Sequence, residues 1–131
     1  MSALTFTLKH RPDQRVDMSP LVCHQLKELA LADIAALILQ SGKRKLRVDE
    51  LFTIDGSDTQ NIVIKNSVDK LDFIGKELEG GSITIEGNAG AYLGFGMKAG
   101  KIKVSGNAGL YAACEMKKGY LEIGGNAGDF L

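Results

Sequence analysis

Residues 87 to 131 carry nearly the same text three times, at a fixed stride of nineteen. Gly87-Asn88-Ala89-Gly90 recurs as Gly106-Asn107-Ala108-Gly109 and again as Gly125-Asn126-Ala127-Gly128. The register extends to Tyr92, Tyr111 and Phe130, to Met97 and Met116, and to Gly100 and Gly119. Each of the last two glycines precedes a short alternating run, Lys101-Ile102-Lys103-Val104 and Tyr120-Leu121-Glu122-Ile123. A constant period near twenty residues, built of a strand and glycine corners, is the pattern of a chain stacked on itself. Such chains serve as scaffolds or contact surfaces more often than as pockets, which points first to partners.

Worn copies precede the clear ones. Nineteen residues before Tyr92, Gly94, Met97 and Gly100 stand Phe73, Gly75, Leu78 and Gly81, and Ser82-Ile83-Thr84-Ile85 fills the strand slot. Asn61-Ile62-Val63-Ile64 fits one copy earlier if about two residues are inserted before Phe73. Four strand slots therefore end at Ile64, Ile85, Val104 and Ile123. Period two points Ile83, Ile102 and Leu121 to one interior file and their polar neighbours to water. Asn88, Asn107 and Asn126 fall in one column, where their amides are expected to form a ladder of structural hydrogen bonds.

The first fifty residues show no repeat. Leu4 to Leu8 alternate as a strand, and Ser19-Pro20 reads as an N-cap and first helical position for a helix through about Leu29. A second short helix is expected around Asp33 to Leu37, ending at Ser41-Gly42, with strands at Leu46 to Val48 and Leu51 to Ile54. The expected architecture is a mainly β chain. A small N-terminal α/β cap (1–50) leads into a right-handed parallel β-helix (51–131) that breaks off in mid-repeat, Leu131 in register with Leu93 and Ala112. An uncovered final strand edge invites association with another chain.

Charge and chemistry narrow the function. Sixteen basic and sixteen acidic residues cancel, leaving no electrostatic footprint for nucleic acid. Lys43-Arg44-Lys45 with Arg47 reads as a solvated loop edge. Cys23 and Cys114 have neither disulfide-framework nor zinc spacing. The N-terminus has no signal-peptide core and no apolar stretch is long enough to span a bilayer, so a cytoplasmic location is expected.

The Gly-Lys pairs at Gly42, Gly75 and Gly100 lack the following Ser or Thr of a phosphate loop. Gly94-Phe95-Gly96-Met97-Lys98-Ala99-Gly100 is one residue too long for a dinucleotide fingerprint. His10 and His24 have no ligand cluster at suitable spacing, and Cys114 occupies a slot held elsewhere by Phe95 and Lys76. Asp55, Asp58, Asp69 and Asp72 are scattered acids before the clear repeats. No catalytic, cofactor-binding or metal-binding residue is assigned, and no cofactor is expected in this chain.

The copies Gly87 to Gly100 and Gly106 to Gly119 resemble the repeat of the C-subunit family of formylmethanofuran dehydrogenase. They are also similar to the repeat in the C-terminal domain of the glutamate synthase large subunit. Val16 to Leu21, with Leu51-Phe52 leading into the repeats, looks like the bacterial branch, the C subunit of the formyltransferase/hydrolase complex. The resemblance implies a β-helical subunit of a complex that moves a formyl group between tetrahydromethanopterin and methanofuran and releases formate in one-carbon oxidation. It implies amidohydrolase-like and formyltransferase subunits as partners, and in archaeal relatives a molybdenum or tungsten centre elsewhere. A non-catalytic structural subunit is the reading this favours. Two alternatives stand beside it: direct participation in formylmethanofuran dehydrogenase chemistry, and a structural module that self-associates through its open C-terminal end.

Overall fold

The computed structural model describes residues 2–128. The expected registers of Phe130 and Leu131 lie outside them. Among the described residues ten strands and three short helices follow one another: β1 Ala3–Leu8, β2 Val16–Asp17, α1 Cys23–Leu26, α2 Leu31–Ala35, β3 Ile38–Ser41, β4 Arg44–Arg47, α3 Val48–Leu51, β5 Phe52–Asp55, β6 Asp58–Ser67, β7 Leu71–Asp72, β8 Glu79–Gly87, β9 Ala99–Val104 and β10 Tyr120–Ile123.

The expected right-handed parallel β-helix is corrected by this topology. The strands form two mixed sheets, one of six strands in the order β10-β9-β8-β6-β1-β5 and one of four in the order β4-β3-β2-β7. In the larger sheet β5 runs antiparallel to β1, and in the smaller one only the β2–β7 pair is parallel. The physical reason lies in the unrepeated segment. Its strands have no nineteen-residue spacing, yet they pair with the repeat strands. β1 inserts beside β6, β5 folds back on β1, and β2 joins β7 to the β3–β4 hairpin.

The four slots read from the periodicity do form strands, and they pair in parallel with the expected register. Ile62, Ile83, Ile102 and Leu121 are successive Cα partners, as are Ile64, Ile85, Val104 and Ile123. The N-terminal strand continues both files, with Leu4 on Ile62 and Phe6 on Ile64. The inward members from β1 to β9 are buried. At about 1.5–3 kcal/mol for each fully buried apolar side chain, these files are a continuous and substantial part of the core. Ile74, Leu93 and Ala112, with Leu78 and Met97, are buried in the same core cluster.

The two inserted residues can be located. Ile64 pairs with Ile85 at a spacing of twenty-one and Ser67 with Gly87 at twenty, across an irregularity that contains Asn66 at φ 59°. Phe73 stacks on Tyr92 at nineteen, so the second extra residue is absorbed between Ser67 and Phe73.

Helix expectations hold in position but not in extent. Ser19 does not cap a helix; its backbone N–H donates to Asp17 Oδ1 at 2.9 Å, and Leu21 N–H closes a turn on the Met18 carbonyl. The helix therefore begins only after Val22. The expected strand at Leu46 to Val48 ends at Arg47, and Val48 opens α3, where the Glu50 carboxylate accepts the Arg47 backbone N–H at 2.9 Å. Strand β3 is an addition to the expected elements. Ile38–Ser41 alternates exposed and buried, and the hairpin closes at Gly42 with φ 59°.

Candidate interaction surface

Two columns mark the corners of the repeat. The first is polar. Asn88 Oδ1 accepts the Asn107 backbone N–H at 2.8 Å, and Asn107 Oδ1 accepts that of Asn126 at 2.8 Å. The ladder joins side chain to backbone rather than amide to amide, which satisfies the corner N–H groups directly. A Cβ at Gly106 would run into Asn88 Oδ1 and the Gly87 carbonyl, so the glycine beside each asparagine keeps this rung short.

The second column is aromatic. Phe73 and Tyr92 stack at 4.9 Å with planes 3° apart, and Tyr92 and Tyr111 at 5.2 Å and 17°. All three residues have left-handed backbones, at φ 59°, 60° and 62°. Phe95 meets Phe73 and Tyr92 edge-on at 6.2 and 5.7 Å. Lys76 Nζ stands 5.3 Å from the Phe73 ring centre.

The unrepeated segment is tied to the first corner by ions. Arg15 donates to both oxygens of Asp72, at 2.8 and 3.0 Å, and to the Asp69 carbonyl at 2.9 Å. The hydrogen bonds to Asp72 push the Arg15 guanidinium above its ordinary value, against the cost of desolvation. Asp72 Oδ1 also accepts the Ala91 N–H at 2.8 Å, and Arg11 donates to Asp69 at 2.7 Å. Asp72 thus joins the unrepeated N-terminal segment to the repeats. Asp72 stood among the scattered acids of the sequence, although its nineteen-residue offset from Ala91 is a mark that could have singled it out.

The other sequence candidates are dispersed. Asp55 and Asp58 accept nearby backbone N–H groups of Gly56 and Gln60 at 2.9 and 3.0 Å. Cys23 is buried and Cys114 half-buried; both are free thiols, and burial pushes the Cys23 thiol up. His24 Nε2 lies 3.6 Å from Glu79, while its Nδ1 is buried without a hydrogen-bond partner among the described residues. His10 borders a shallow groove with Arg11, Arg44 and Glu50. Lys43, Arg44 and Lys45 are exposed. Among the described residues no three His, Cys, Asp or Glu side chains are arranged to hold a metal ion, and no helix is long and apolar enough to cross a membrane. What the folded chain does present is surface. Leu31, Ile38, Leu110 and Tyr120 stand out as large exposed apolar side chains.

The fold and its corner columns define a repeat-bearing protein of two mixed sheets. No family model matches the chain. Its homologues are the C subunits of formylmethanofuran dehydrogenases and of the formyltransferase/hydrolase complex, as the repeats suggested. The C subunit of the tungsten-containing formylmethanofuran dehydrogenase 2 of Methanococcus maripaludis is 32% identical over 95 residues, covering 71% of this chain and 35% of its own length. The C subunit of the formyltransferase/hydrolase complex Fhc of Methylorubrum extorquens is 39% identical over 91 residues, covering 66% and 34%. A chain in the crystal structure of the Methylorubrum extorquens FhcABCD complex with methylofuran superposes with a TM-score of 0.88 at 36% identity, covering 95% of this chain and 47% of that one. The chain therefore spans about a third of the sequence relatives it matches and about half of the solved one.

Proposed function

We propose that this chain is a structural subunit of a formyl-transfer complex, of the formylmethanofuran dehydrogenase or formyltransferase/hydrolase type, working in cytoplasmic one-carbon metabolism. In this reading it contributes architecture to the amidohydrolase-like and formyltransferase subunits and carries no catalytic group or cofactor of its own. The observation that carries the reading is the superposition on a chain of the FhcABCD complex across nearly the whole of this chain. The character of the surface agrees. Asn88 and Asn107 are engaged in the corner ladder, and Arg15 and Asp72 in an ion pair, contacts that serve the fold.

Coexpression with the other three subunits tests the reading. The chain is expected to co-elute with them in a stable complex and to show no formyl-transfer activity alone. Elution apart from all three would overturn the reading. Loss of turnover in a fully assembled complex on substituting a single polar side chain such as His10 or His24 would favour direct participation instead.

A further inference from the structure

Residues 29–39 carry one charged side chain, Asp33, in eleven positions, yet much of the segment faces solvent. Leu31 at the start of α2 is 46% exposed, and Ala30, Ala32 and Ala36 are far from fully buried too. The segment is nonetheless held in place. Ile34 is buried, Leu37 N–H bonds to the Ile34 carbonyl at 3.2 Å, and Val48 N–H bonds to the Leu37 carbonyl at 2.9 Å.

Beside it runs a mainly apolar groove lined by Leu4, Leu29, Ala30, Leu31, Ile34 and the turn at Gly56 and Ser57. Two carboxylates border that turn. Asp55 accepts the Gly56 N–H, and Asp58 accepts from Gln60 N–H and from Asn61 Nδ2 at 2.6 Å. The Asn61 and Gln60 hydrogen bonds hold the Asp58 carboxyl below its ordinary range, so it is ionised at neutral pH. Lys27 is a nearby countercharge, on the adjoining depression with Asp58. An aliphatic floor bordered by carboxylates is complementary to an aliphatic side chain with a cation next to it. A wall already ordered before binding reduces the entropy lost on docking.

We infer that the groove between α2 and the Gly56-Ser57 turn docks a segment of a partner subunit that presents an aliphatic anchor flanked by Lys or Arg. This rests on the proposed function above and names the surface that the complex would use. Its recognition would combine burial of Leu31 with attraction to Asp55 and Asp58.

The test coexpresses the full chain with the other three subunits and measures dissociation at several salt concentrations. Leu31→Glu is expected to weaken retention about tenfold or more, and Leu31→Met to leave it near the unaltered level. The isosteric pair Asp55→Asn and Asp58→Asn is expected to weaken retention and flatten its salt dependence. Thermal unfolding of each isolated variant checks that the fold survives. Unchanged retention in both Leu31→Glu and the asparagine pair would overturn the inference while leaving the proposed function intact. Failure of the unaltered chain to join the subunits would overturn that reading and the inference with it. A doubled mass for the chain alone, abolished by Leu31→Glu, would also overturn it, since the groove would then receive a second copy.

Discussion

Asn88 Oδ1 and the backbone N–H of Asn107, nineteen residues apart in sequence, meet at 2.8 Å. Asn107 repeats the contact with Asn126, so each side chain fastens the corner of the next repeat. Asn107→Ala is expected to lower stability by about 1 kcal/mol, the usual net worth of one hydrogen bond. Asn107→Asp keeps the acceptor and should lose less. Urea denaturation of the two variants checks the order; an alanine variant as stable as the aspartate one would contradict it.

Tyr92 lies between two stacked rings and a third meets it edge-on. Aromatic pairs contribute about 0.5–1.5 kcal/mol beyond area burial. Tyr92→Phe should unfold within about 0.5 kcal/mol of the parent, since the ring is kept, and Tyr92→Ala should cost about 2 kcal/mol or more. A double-mutant cycle with Tyr111 measures the coupling directly. A coupling near zero would mean that the stacked geometry contributes nothing to stability.

Ile102 and Leu121 are partners in one file, but Ile102 is fully buried and Leu121 only partly. Ile102→Ala should cost about 2–5 kcal/mol because neighbouring strands on both sides close over the cavity. Leu121→Ala should cost clearly less in the isolated chain. Denaturant midpoints resolve the difference, and equal losses would argue against the inward file as described.

Cys23 is buried, and desolvation raises its thiol above the ordinary value. A raised thiol is less ionised at neutral pH, and the thiolate is the reactive form. With a disulfide reagent at neutral pH, one thiol, Cys114, is expected to react in the folded state, and Cys23 only on unfolding. Because the folded Cys23 value is raised, its contribution to stability is present below the unfolded thiol value, about pH 8.5, and is lost as pH rises through the folded one. Rapid labelling of both thiols in the native protein would refute this.

Gly100 has φ 89°, and a Cβ there would stand 2.7 Å from the Gly81 carbonyl oxygen. Gly100→Ala is expected to cost about 1–3 kcal/mol through backbone strain alone, with the steric clash added. Calorimetric melting of the variant tests it; an unchanged melting temperature would show that the corner tolerates a side chain.

The nineteen-residue register was legible because it is written in residue types with narrow physical uses. Alternating aliphatics at Ile83, Ile85, Ile102 and Val104 can bury only one face of a strand, and the columns of asparagine and aromatic side chains followed from the same spacing. The insertion before Phe73 was legible as a number of residues. Its division between the irregularity at Asn66 and the turn after Ser67 was not, since either site could absorb an extra residue. Ser19-Pro20 misled because an N-cap and a turn use the same residue types, and here Asp17 took the Ser19 N–H. The exposed face at Leu31 was hidden because a row of apolar letters looks the same whether it lines the core or the surface.

By itself, then, the chain's text determined the strands of the repeat, their parallel order and which side chains point inward, because local period and stacking register are properties of short, recurring segments. Only the tertiary structure decided that β1 lies against β6, that β5 reverses on β1, and that β2 and the β3–β4 hairpin build a second, mixed sheet. Those pairings join residues far apart in sequence that share no spacing. Their selection depends on which edges and apolar faces remain uncovered once the repeats have stacked.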